Sequence, residues 1–205
     1  MQPTNIKSGG TVGAAEIDQA VTQITPTVDR APTMEALDDA VDHLRGSQSG
    51  RLIVEYGDYE CTASHAAYRN IKKIERRLRG EVRFAFRHYP LTTIHPHALG
   101  ASAAAEAAAI QGGFWDMHEL LFHARGALED DDLLRYADEL ALDVDRFERD
   151  RRSDGVLARV HRDVEGAAAS GDVRGSPTVF IDGVVHLRPN DVASLLRSIS
   201  GQSVS

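Results

Sequence analysis

The sequence predicts an α/β domain in which a β-α-β unit and a β-β-α unit flank a long helical block. Three observations predict it. Leu52 to Tyr56 and Val82 to Phe86 are short β-rich runs separated by a stretch whose apolar residues recur at helical spacing. From His97 to about Ala169 the pattern is almost purely helical. Thr178 to Ile181 and Val184 to Leu187 are β-rich runs joined by Asp182-Gly183, a two-residue link that favours a tight hairpin.

Taken in order, residues 1–38 are expected to form a mobile tail. The stretch up to about Pro32 is rich in Gly, Thr, Pro and Gln, with one helix-like run from Ala14 to Ile24. The domain proper is expected over 39–200. Asp42-His43-Leu44 fits either a short helix or an edge strand. Leu52 to Tyr56 fits a buried central strand except for Glu55, an acid in its middle. In the following helix Ala67, Ile71, Ile74 and Leu78 share one face, while Arg69, Lys72, Lys73, Arg76 and Arg77 fill the other, and Gly80 ends it. Val82, Phe84 and Phe86 alternate with Arg83 and Arg87 as a strand that stops at Tyr89-Pro90.

A helical insertion over about 95–169 is read as four runs: Ala-rich through Ile110, then Phe114 to Ala124, Asp131 to Leu140, and Val144 to about Ala168. Asp130, Asp131 and Asp132 open the third, where a helix N-terminus favours negative charge. After the hairpin, Asn190 is expected to cap a last helix running to about Ile199.

Bulk properties narrow the function. A 205-residue chain with 42% hydrophobic residues supports one core. The net charge of −8 and the lack of a long basic run remove the phosphate attraction behind non-specific nucleic-acid binding, so no nucleic-acid partner is expected. The opening residues lack a basic leader and an apolar stretch, and no segment approaches the roughly 20 apolar residues of a membrane span. A cytoplasmic protein without a membrane partner is therefore expected. Cys61 is the single cysteine, which excludes an internal disulfide and a multi-cysteine metal site. The nine histidines give no metal-ligand spacing: His95 and His97, or His118 and His123, do not share a helix face. No metal and no bound cofactor are expected.

Cys61 lies where a strand turns into a helix. The partial positive charge and free N–H groups of a helix start stabilise a thiolate, the nucleophilic form of the residue. Ser64, one turn on, can point its hydroxyl back at the sulfur, and His65 adds a second polar neighbour. The plainer reading makes Cys61 a small buried hydrophobe. Glu55 is either a buried carboxyl with a raised pKa, suited to proton transfer near neutrality, or a solvent-facing residue at a strand end.

Several segments together carry a resemblance. Val54 to Cys61 (VEYGDYEC), Phe86 to Leu91 (FRHYPL), His95 to Ala98 (HPHA), Phe114 to His118 (FWDMH) and Val173 to Thr178 (VRGSPT) resemble, in the same order, segments of DsbA-like thioredoxin-fold proteins, over roughly residues 40 to 200. The resemblance implies a thioredoxin fold carrying a helical insertion. It also implies that Cys61 corresponds to the first cysteine of the family's Cys-x-x-Cys pair, that Pro177 is a cis-proline facing it, and that Glu55 is the buried acid beneath the site. Here Ser64 stands where the resolving cysteine would be, so two-cysteine chemistry is not available.

The expected activity is monothiol thiol-disulfide exchange at Cys61, with Ser64 and Glu55 assisting. Thr62, His65, Ser176 and Pro177 contact a thiol or disulfide substrate, and glutathione or another external thiol serves as co-substrate. Ser176 would present its backbone to that substrate as a strand does. Two alternatives stay open: a binding module or holdase that kept the groove and lost turnover, and a glutathione-using isomerase or transferase in which Ser64 matters more than Cys61.

Overall fold

A computed structural model describes residues 31–124 and 126–201. The helix-like run at Ala14 to Ile24, and most of the expected tail, lie outside the described residues. The last part of that segment is held: Thr33 N–H donates to the Gly183 carbonyl, and the Glu35 and Ala36 carbonyls accept from Arg87.

The elements are β1 (His43–Gly46), β2 (Arg51–Gly57), α1 (Thr62–Arg77), β3 (Val82–His88), α2 (Ala98–Ile110), α3 (Phe114–His123), α4 (Asp130–Glu139), α5 (Val144–Arg151), α6 (Asp154–Ser170), β4 (Thr178–Ile181), β5 (Val184–Val185) and α7 (Val192–Ile199). The strands form one sheet in the order β1-β3-β2-β4-β5. Only β2 and β3 run parallel, as the α1 crossover requires; the other pairs are antiparallel. Of the two readings of residues 42–44, the edge strand is the one observed.

Both faces of the sheet are covered, so β2 is buried from Ile53 to Gly57. On one face Ile53, Phe84, Phe86 and Val179 pack with Ile71 and Ile74 of α1 and with α2 and α3. On the other, Val54, Tyr56 and Phe180 pack with Met34, Ala167 and Val173. The period of two places Glu55 on the Ile53 face, under α1. Gly57 ends that row where a Cβ would meet the Phe86 ring at 2.5 Å.

Four sequence expectations change here. Arg87, read as an alternating polar position, is buried because the second face of β3 is also covered. Its guanidinium grips Asp42 with two bonds of 2.9 Å and donates to the Tyr56 hydroxyl at 2.9 Å. The helical run from Val144 breaks into α5 and α6, because Ser153 caps a new helix by accepting from Val156 N–H. The cap of α7 is Asp191, which accepts from Ser194 N–H; Asn190 instead accepts from Asn70 through its carbonyl. The last strand stops at Val185, leaving Leu187 81% exposed.

The hairpin forms through Asp182-Gly183, both with positive φ (49° and 82°). A Cβ on Gly183 would also lie 2.9 Å from the Pro32 Cβ. Gly183→Ala is therefore expected to lower stability by about 1–2 kcal/mol, from the left-handed backbone and the contact together. A urea titration of both proteins measures it, and equal midpoints would contradict it.

Candidate functional site

The site forms where β2 hands over to α1. Cys61 is the N-cap of α1, with extended backbone (φ −79°, ψ 118°) and its carbonyl accepting from His65 N–H at 3.1 Å. Among the described residues no side chain caps this helix, the Cys61 thiol included. The Cys61 thiol donates to the Ser176 carbonyl at 3.3 Å, and the Ser176–Pro177 peptide bond is cis. Residues 115 apart in sequence thus meet at one sulfur. Cys61 is 8% exposed, with Thr62 and Ala63 exposed beside it.

The residues expected around the sulfur are only partly brought together. Ser64 is fully buried, and its hydroxyl oxygen accepts from Asp58 N–H at 3.3 Å. Among the described residues its hydrogen-bond partner is this preceding turn and not the sulfur. The His65 ring donates from Nε2 to the Tyr59 carbonyl at 2.6 Å, so it too serves the turn. The Ser176 carbonyl, expected to pair with a substrate, already accepts from Cys61, while the buried hydroxyl of the same residue has no partner among the described residues.

Glu55 is fully buried, and among the described residues neither carboxyl oxygen has a hydrogen-bond partner. Burial pushes its pKa from the ordinary 4.5 up to about 8; a negative charge on Cys61 adds to the rise, and Arg45 opposes it. The solvent-facing alternative for Glu55 is excluded. At neutral pH the residue is a protonated acid beneath the thiol.

Sequence reasoning passed over Asp58, which organises the turn. Its carboxylate, fully buried, accepts from Glu60 N–H, Leu91 N–H and the His95 ring, each at 2.8 Å, and its carbonyl accepts from Cys61 N–H at 3.1 Å. Glu60 makes a parallel clamp on His97, accepting from its backbone N–H at 2.8 Å and its ring at 3.2 Å. His95 and His97, set aside above as a metal pair, tie the loop after β3 to the Cys61 turn. Asp58→Asn removes one acceptor from a buried set of three donors. It is expected to cost about 2 kcal/mol in a urea titration and to slow Cys61 alkylation; unchanged midpoints would dismiss Asp58 as an anchor.

One group among the described residues gathers metal-ligating atoms: His43, His88 and Glu106, all within 4.8 Å of one another. Both histidine Nε2 atoms lie 2.8 Å from the same Glu106 oxygen, and the Arg159 Nε lies 3.8 Å from it. Burial alone would raise the Glu106 pKa, but the hydrogen bonds from His43 and His88 outweigh it and hold the carboxyl well below its usual range. A cation entering there would meet the Arg159 charge and would have to displace both donors. The arrangement is that of a clamped carboxylate joining β1, β3 and α2.

A mixed five-stranded sheet interrupted by a helical block, with a thiol at the N-terminus of α1 against the loop before β4, defines the class: a thioredoxin fold interrupted by helices, the DsbA-like form of that fold. A family model described as Thioredoxin matches residues 38–200, and the chain belongs to that family. The structure is similar to a thioredoxin-like oxidoreductase from Silicibacter pomeroyi, with a TM-score of 0.68 and 24% identity, covering 81% of this chain and 96% of that one. It is also similar to the thiol-disulfide exchange protein alpha-DsbA2 from Wolbachia pipientis, with a TM-score of 0.70 and 20% identity, covering 80% and 89%.

Curated relatives carry another name. The chain is 40% identical over 161 residues to Na(+)/H(+) antiporter NhaA 1 of Mycolicibacterium vanbaalenii, covering 77% of this chain and 26% of that protein. It is 41% identical over 170 residues to Na(+)/H(+) antiporter NhaA 3 of Salinispora tropica, covering 81% and 25%. The chain thus spans about a quarter of the length of these relatives. No described helix is long and apolar enough to cross a membrane.

Proposed function

We propose that the protein is a monothiol thiol-disulfide oxidoreductase. One observation carries the reading: the single thiol of the chain sits on the N-cap residue of α1 and donates to the Ser176 carbonyl in the loop before β4. In the first step the Cys61 thiolate attacks one sulfur of a substrate disulfide. A mixed disulfide forms, and the second substrate sulfur leaves as a thiolate. An external thiolate, with glutathione as the abundant candidate, then attacks the substrate sulfur of that mixed disulfide. It leaves as a disulfide with the substrate, and Cys61 is restored. A reducing compartment such as the cytoplasm supplies that thiol.

The chemistry suits the surroundings. Protonated Glu55 adds no negative charge beneath the sulfur at neutral pH, and the turn held by Asp58 keeps Cys61 at the helix start. Ser64, sealed and bonded to Asp58 N–H, is poorly placed to receive glutathione itself, which disfavours the transferase alternative.

Intact-mass measurement after incubation with oxidised glutathione tests the reading. One adduct, blocked by prior alkylation, is expected; an unmodified chain would leave the binding-module alternative in its place. The antiporter relatives favour a second element of the reading, that the domain works beside a membrane transporter.

A further inference from the structure

The net charge of −8 argues against an anionic partner only if charge is spread evenly, and on α1 it is not. Arg69, Lys73, Arg76 and Arg77 lie at helical spacing on the exposed face of that helix, and exposed Arg79 continues the row past its end. Among the described residues none of the five has an ion pair or a hydrogen bond through its side chain. The neighbouring cations differ: Arg45 is bound by Glu75, and Lys72 by Glu119. The row continues towards α7, where a shallow hollow floored by Leu78 and Leu196 is ringed by Arg51, Arg77 and Arg197, with Glu81 the one acid on its rim.

A second observation points to what this face meets. The curated relatives that match this chain over about a quarter of their length are Na(+)/H(+) antiporters. The negative surface of a membrane attracts clustered Lys and Arg at about 1 kcal/mol each.

We infer that the basic face of α1 docks on the anionic headgroups of a membrane surface. The inference goes beyond thiol exchange and rests, for its membrane context, on the transporter element of the proposed function. At 1.5 Å per residue the 16-residue helix is about 24 Å long. Cys61 sits at its N-terminal end and the densest charge at its C-terminal end, so a docked domain keeps its thiol free.

Co-sedimentation of the full chain with phosphatidylcholine vesicles, with and without phosphatidylglycerol, tests the inference. Binding is expected only to the anionic vesicles and is expected to vanish at high salt. Arg69→Gln, Lys73→Gln and Arg76→Gln together are expected to weaken it roughly a hundredfold, at about fivefold per cation. Failure to bind, or equal binding by the wild type and the triple variant, would overturn the inference. Tighter binding to duplex DNA than to the vesicles would overturn the lipid assignment. Glutathione capture by Cys61 in the same triple variant is expected to be unchanged, so failure of the thiol chemistry and failure of docking give separate results.

Discussion

Cys61→Ser is expected to abolish every covalent step of the protein while leaving its fold in place. Serine is nearly isosteric with cysteine and is a favoured residue at a helix N-cap, so the Cys61 position tolerates it locally. Its hydroxyl can still donate to the Ser176 carbonyl, which the thiol contacts at 3.3 Å. Stability is expected to stay within about 1 kcal/mol of the wild type. Reduction of a disulfide substrate in the presence of glutathione is expected to fall to the uncatalysed rate, since no second thiol exists to substitute. Equal rates for Cys61→Ser and wild type would remove the oxidoreductase reading. Retained binding of a substrate peptide with no rate difference would establish the binding module.

Glu55 governs the second large effect, which is a pH dependence. In the unfolded chain its carboxyl loses its proton near 4.5, whereas the folded chain keeps it up to about 8. Between those values the folded state holds more protons than the unfolded state, so stability falls as pH rises, and the whole penalty applies above about 8. Burial is the main cause, and the interval corresponds to up to about 5 kcal/mol. Glu55→Gln removes the titration. Urea titrations from acid to alkaline pH are expected to show wild-type stability declining across this window relative to Glu55→Gln, with most of the difference accrued by pH 8. Parallel profiles would mean that Glu55 does not hold its proton in the folded protein.

The buried Glu106 carboxylate runs the other way. His43 and His88 hold that carboxyl below its usual range, so its contribution is present at neutral pH and is lost as pH falls. The two acids therefore shape opposite limbs of the stability curve.

How far the sequence reaches can be judged residue by residue. Cys61 at a strand-to-helix junction, the alternation of Val82, Phe84 and Phe86, and the Asp182-Gly183 turn were all legible, because each depends on periodicity or backbone preference within a few residues. Arg87 was misread because alternation reports one covered face and says nothing of a second. Asp58 was missed because its three donors come from Glu60, Leu91 and His95, two of them more than 30 residues away in sequence. Ser64 was expected to serve the sulfur, and it serves Asp58 instead, since a turn with buried N–H groups claims the nearest acceptor.

By itself, then, the sequence determined the order of the elements, the hairpin and the place of the only thiol, which are matters of short-range geometry. The tertiary structure alone decided that Glu55 stays protonated, that Cys61 touches Ser176, and that the cations of α1 are left unpaired on one face. Desolvation and contact between distant segments set those outcomes, and neither exists until both faces of the sheet are covered.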